Sequence, residues 1–152
     1  MEKIKRFASM RKLALAPAVG LVVLAVAGCT AHGGGFIDGV HADKATFGFT
    51  WQKTKKENVL RGSWHDGYVK LRLDRDLGIQ GTYPDCVGGP GHYVSTSKSD
   101  PGAGTLQLSI CDNGEPGPTE GDTICIHVTS GPYAGYSNSG TLQGGNLQVL
   151  DN

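Results

Sequence analysis

Residues 105–129, TLQLSICDNGEPGPTEGDTICIHVT, decide the fold class. Leu106, Leu108 and Ile110 alternate with polar neighbours, as do Ile124, Ile126 and Val128, and the nine residues NGEPGPTEG between the two runs hold the Gly, Pro and Asn of a turn. A period of two in apolar residues is the signature of a half-buried strand. The segment therefore predicts adjacent antiparallel strands at 105–112 and 122–129, with these six aliphatic side chains facing the core.

The same period runs outward in both directions. In 45–52 (ATFGFTWQ) Phe47, Phe49 and Trp51 share one face, and that parity assigns Trp51 to the core. Strands are expected at 59–65 and 68–74, turned at Asp66-Gly67, a dipeptide suited to a tight hairpin. Further short strands are expected at 77–83, 136–142 and 146–150, and a weak polar edge strand at 92–98. No window carries apolar residues at helical three-and-four spacing. The expected body is an all-β antiparallel sandwich, with a small β-barrel as the alternative and no significant helix.

Ahead of this body the character of the chain changes. Lys3, Lys5, Arg6, Arg11 and Lys12 precede an apolar stretch from Leu13 to Gly28, interrupted by Pro17. That stretch is shorter than the ~20 apolar residues of a membrane-spanning helix and reads as a signal-peptide core. A short transmembrane anchor or an ordinary secretory signal is the alternative. Val26-Ala27-Gly28-Cys29 resembles the lipobox of bacterial lipoproteins, which implies cleavage before Cys29, acylation of that cysteine and residence on a membrane of the cell envelope. Thr30, where an Asp would hold the protein back, resembles outward sorting where an outer membrane exists. Met10 is a second plausible start, and the mature chain is the same from either.

Residues 1–28 are thus expected to be a signal peptide, 29–44 a Gly-rich tether carrying His32, Gly33, Gly34, Gly35 and His41, and 45–152 one domain. Removing the signal leaves 124 residues with nine Lys and Arg against thirteen Asp and Glu, a net charge of −4. With no basic face, nucleic acid is excluded as a natural partner.

Three cysteines remain besides Cys29, and export favours their oxidation. Cys111 and Cys125, diagonal across the hairpin, are the preferred pair, closing a loop worth ~3 kcal/mol of chain entropy. Cys86 with Cys111 is the rival, and either pairing leaves a structural, buried thiol over. Asp112, Asn113, Glu115, Glu120 and Asp122 place several oxygen ligands in one loop and make a candidate calcium site, although the spacing is that of no recognised calcium loop and Asn-Gly with Pro-Gly also makes a good turn. Among Trp51, Trp64, Tyr83, Tyr93, Tyr133 and Tyr136, the pair Trp64 and Tyr136 is the candidate platform for stacking a glycan. His65-Asp66 alternates across a strand, and Ser63, Ser95 and Ser97 lie in no nucleophile elbow, so a hydrolase is the weakest reading.

Asp112 to Gly117, Asp122-Thr123, Gly135-Tyr136, Ser139 to Leu142 and Gly144 to Asn146, with the opening ATFGFTWQ, resemble the secreted bacterial modules called the post-COAP domain. The resemblance covers most of residues 45–150. It implies a β-domain without enzymatic activity, here standing alone behind a lipid anchor rather than as a piece of a larger surface protein. The expected function is a membrane-anchored envelope lipoprotein with a structural or interaction role, with a glycan- or calcium-binding module as the alternative.

Overall fold

The computed structural model describes residues 29–53, 56–83 and 85–150, so the expected signal peptide lies outside the described residues. The fold is all-β and antiparallel. Ten strands form a single sheet: β1 (Cys29–Asp38), β2 (Lys44–Lys53), β3 (Asn58–Asp66), β4 (Val69–Asp76), β5 (Gln80–Tyr83), β6 (Cys86–Ser95), β7 (Ala103–Cys111), β8 (Thr123–Val128), β9 (Ser137–Thr141) and β10 (Gly144–Val149). Their order is β10-β1-β2-β3-β4-β6-β7-β8-β9, and β5 takes over from β4 beside the start of β6. The helix α1 (Gly117–Glu120) is a single turn.

This sheet curls into a half-barrel, which corrects the expected two-sheet sandwich. Alternation fixes one buried face per strand but does not say whether that face meets a second sheet or the far wall of its own. Here it meets its own wall. Phe47, Phe49 and Trp51 of β2, Leu60 and Trp64 of β3, Leu71 and Leu73 of β4, Leu106, Leu108 and Ile110 of β7 and Ile124, Ile126 and Val128 of β8 all fall in one buried cluster. The central hairpin is as read from the sequence, with Leu106 opposite Val128, Leu108 opposite Ile126 and Ile110 opposite Ile124.

Two regions depart from the sequence reading. The presumed tether begins as a strand: β1 lies between β10 and β2, with Ala31 and Ile37 fully buried. Its glycines serve close packing, because a Cβ on Gly33 would strike the Asn146 carbonyl and come within 2.8 Å of the Leu147 side chain. The second departure is β6, expected as an edge at 92–98, which is interior and begins at Cys86. Gly88, Gly89, Pro90 and Gly91 disguise it as a loop.

The curl is closed by side chains. The carboxylate of Asp122, fully buried, accepts the backbone N–H of Leu147 at 3.0 Å, and Asp112 accepts that of Val149 at 3.0 Å. These two carboxylates cap outward N–H groups of β10, an edge that would otherwise be open to pairing with another chain.

Candidate functional site

Three connections meet at the end of the barrel where β1 finishes: the β1–β2 turn, the β3–β4 turn at Gly67-Tyr68 and the β8–β9 loop of residues 129–136. Gly67 takes a left-handed φ of 60°, as a two-residue hairpin turn requires. This places Asp66, inward-facing and fully buried, below the β1–β2 turn. Its carboxylate accepts the N–H groups of Val40 at 2.8 Å and His41 at 3.0 Å, the hydroxyl of Tyr136 at 2.7 Å and the amide of Asn138 at 3.4 Å. Tyr136 in turn accepts the indole N–H of Trp64 at 2.8 Å. Burial alone would push the Asp66 carboxyl up, but the Tyr136 hydroxyl and the two backbone N–H donors outweigh it and hold the carboxyl below its ordinary value. The same carboxylate and burial raise the Tyr136 phenol.

Above this network sits an aromatic cluster open to solvent. Tyr68 is 57 % exposed. Its ring lies 4.5 Å from that of His41, and its hydroxyl is 3.1 Å from His41 Nε2. Tyr133 donates from its hydroxyl to the Tyr68 carbonyl at 3.2 Å and stacks at 6.3 Å on the buried Tyr93, whose own hydroxyl donates to the Ser130 carbonyl. His41, Tyr68, Pro132, Tyr133 and Tyr136 line a hollow of about 300 Å³. Every partner of Asp66 named above donates to it, so this carboxylate is a fixed acceptor that ties two turns together and not a proton carrier facing solvent.

No family model, curated protein or solved structure gives a match to this chain. The resemblance to the post-COAP modules stands on the motif residues alone.

Trp64 and Tyr136 are 1 % and 8 % exposed, so the expected stacking platform is core; the exposed aromatic ring at this end is Tyr68, the second residue of the two-residue turn Gly67-Tyr68 between β3 and β4. His41, read as a solvated tether residue, packs against Tyr68 instead. The register of β1 is what brings it there, and that strand was hidden by its glycines.

The disulfide is Cys86–Cys111, with a Cα–Cα distance of 4.1 Å, and not Cys111–Cys125. Cys86 lies directly across from Cys111, whereas Cys125 is opposite Ser109 and only diagonal to it. Direct neighbours come closer than diagonal ones across a ladder. Cys125 keeps its thiol and is exposed, not buried as expected of the spare cysteine. The disulfide points to an extracytoplasmic protein.

In the acidic loop, Asp122 accepts the N–H of Asn113 at 2.8 Å as well as that of Leu147, and Asp112 accepts Gly114 N–H at 3.0 Å as well as that of Val149. Glu115 accepts the side-chain amides of Asn146 at 2.7 Å and Gln148 at 2.9 Å, which lower its carboxyl. Asn113 donates its own amide to the Gly121 carbonyl. Glu120 is exposed on α1. The oxygens of Asp112, Glu115 and Asp122 accept N–H donors, the opposite of what a calcium ion presents, and among the described residues no group of three His, Cys, Asp or Glu side chains is placed to hold a metal ion. Cys29 starts β1 opposite Gln52.

Proposed function

We propose that this protein is a lipid-anchored envelope lipoprotein with a non-enzymatic interaction role, and that its binding surface is the loop end around His41, Tyr68, Tyr133 and Tyr136. The observation that carries the reading is the exposed ring of Tyr68, packed against His41 at the rim of the hollow, where the strand aromatics Trp51, Trp64 and Tyr93 are buried. An exposed ring costs hydration free energy unless something covers it, and a rigid aromatic face with hydroxyl and imidazole groups at its border suits the apolar face and hydroxyls of a sugar ring. The glycan-binding form of the interaction role is therefore the one the geometry favours, with Tyr68 in the place first assigned to Trp64. The non-enzymatic reading is supported by Asp66, whose oxygens are committed to N–H and O–H donors. Lipid anchoring rests on the residues before Cys29 and export is supported by the disulfide.

The test is a glycan array with the mature protein and with Tyr68→Ala. Selective binding by the wild type that is lost in Tyr68→Ala, with an unchanged melting temperature, is the expected result. Binding that survives Tyr68→Ala removes the site.

A further inference from the structure

We infer that the barrel sits directly on the bilayer by the end opposite the aromatic site, with no spacer between lipid and fold. The inference rests on the proposed acylation of Cys29. A lipoprotein body is free to move away from its membrane only as far as the chain between the acylated cysteine and the first fixed residue allows. In this chain β1 starts at Cys29 itself, and Ala31 is already fully buried and paired with both Trp51 and Val149. Only Thr30 lies between, and two residue steps reach no more than about 7 Å.

The end of the barrel that this brings to the membrane is defined by register. It holds Lys53 and Asn58, paired at the ends of β2 and β3, the Cys86–Cys111 bridge and Leu150, which follows Val149, the partner of Ala31; the 112–122 loop rises from this end along β10 as far as Asn146, opposite Gly34. Leu150 is 43 % exposed. An exposed leucine on the face nearest the acyl chains fits contact with a lipid surface better than with water.

Among the described residues, the exposed Val40 and Tyr68 are at the far end, and the exposed Leu77 is on the wall between, where its N–H donates to the Pro90 carbonyl. The nine residue steps of β1 from Cys29 to Asp38 amount to about 30 Å of strand, shortened somewhat by its tilt. The Tyr68 site is thereby held above the headgroups and turned away from them. Its ligand must approach from the side away from the anchoring membrane, as a soluble molecule or a wall polymer does and a headgroup of that membrane does not.

Site-specific quenching tests this. Full-length lipidated protein carrying Cys125→Ser, so that one introduced thiol can be labelled, is made with either Thr119→Cys in the 112–122 loop or Val40→Cys at the far end. Each is labelled with a fluorophore and reconstituted in phosphatidylethanolamine–phosphatidylglycerol vesicles containing a nitroxide-headgroup lipid. Several-fold stronger quenching at position 119 than at position 40 is expected, and a spacer of about ten Gly and Ser residues inserted between Thr30 and Ala31 should erase the difference. Equal quenching at the two positions without the spacer, or stronger quenching at position 40, overturns the seating. Clickable fatty-acid labelling of the same preparations separates the two layers of the argument. A labelled protein with equal quenching loses only the seating, whereas a wild type that takes no label, or a Cys29→Ala form that does, removes the anchoring reading and the seating with it.

Discussion

Tyr136 donates its hydroxyl to the buried carboxylate of Asp66 at 2.7 Å, joining residues seventy apart in the chain. Asp66 ends β3 and Tyr136 ends the loop before β9, so this bond ties the β3–β4 turn to the β8–β9 loop, while the same carboxylate holds the β1–β2 turn through Val40 and His41. Asp66→Ala leaves the buried Tyr136 hydroxyl without its acceptor and releases the part-buried N–H groups of Val40 and His41. A stranded buried donor costs about 1–3 kcal/mol, so a loss of at least about 1 kcal/mol is expected in denaturant melts. Tyr68→Ala, at the exposed surface, should cost less than about 1 kcal/mol.

The lowered Asp66 carboxyl gives a pH dependence of definite sign. A carboxyl that ionises more easily folded than unfolded contributes stability above the unfolded value, here the ordinary 3.8, and that contribution disappears as the pH falls through the folded value. Wild type should therefore lose stability on acidification below about pH 4 more steeply than Asp66→Asn. Parallel curves for the two proteins would assign the acid sensitivity to other groups.

Tyr136 behaves in the opposite direction. Its phenol is raised in the fold, so the stability it contributes is whole below the ordinary value of 10.0 and is lost as the pH climbs beyond it. Tyr136→Phe should be less stable than wild type at neutral pH and show a shallower alkaline decline, measured by thermal melts across that range.

The Cys86–Cys111 bridge joins residues 25 apart, which corresponds to about 3 kcal/mol of chain entropy removed from the unfolded state. Cys86→Ser with Cys111→Ser should cost about that much. In the wild type, an alkylating reagent should modify Cys125 without denaturant, since its thiol is exposed. Peptide mapping that finds Cys125 bridged would refute both statements.

Deleting residues 29–38 distinguishes a strand from a tether. Removal of β1 strips β2 and β10 each of a ladder partner and exposes core around Ala31 and Ile37, so the shortened domain should fail to fold cooperatively. A tether deletion would leave the melt unchanged. At the other extreme of the sheet, Ile124→Ala should destabilise by about 2–5 kcal/mol as a packed core truncation, while Thr119→Ala in the loop should have little effect.

Much of this fold is determined locally, and the sequence therefore reveals it. Leu106, Leu108 and Ile110 against Ile124, Ile126 and Val128 fix a hairpin, its register and its buried face, because a one-residue slip would turn all six side chains to water. The hairpin turn between β3 and β4 is likewise written in its glycine, although it falls one residue later than read, at Gly67-Tyr68, with Asp66 paired to Val69. Where glycine dominates, the pattern is silent. Gly33, Gly34 and Gly35 carry no hydrophobicity, and β1 was hidden because its packing is specified by neighbours that need small residues rather than by side chains of its own. The choice of Cys86 over Cys125 as the partner of Cys111 was open in the sequence for a related reason: both lie beside β7, and only strand pairing shows which is directly opposite. The candidate site was legible in part, since Tyr136 and the neighbouring aromatics could be named but not sorted into core and surface. Trp64 and Tyr68 are four residues apart, but Trp64 faces inward from β3 and is buried, whereas Tyr68 falls in the turn itself and is exposed. Asp112 and Asp122 read as cation ligands because composition shows charge but not direction; the return of β10 brings the N–H groups of Val149 and Leu147 to their oxygens. Alternation along a strand sets which side chains point inward, but the curvature of the whole sheet sets what they meet there, and that depends on pairings between residues far apart in the chain.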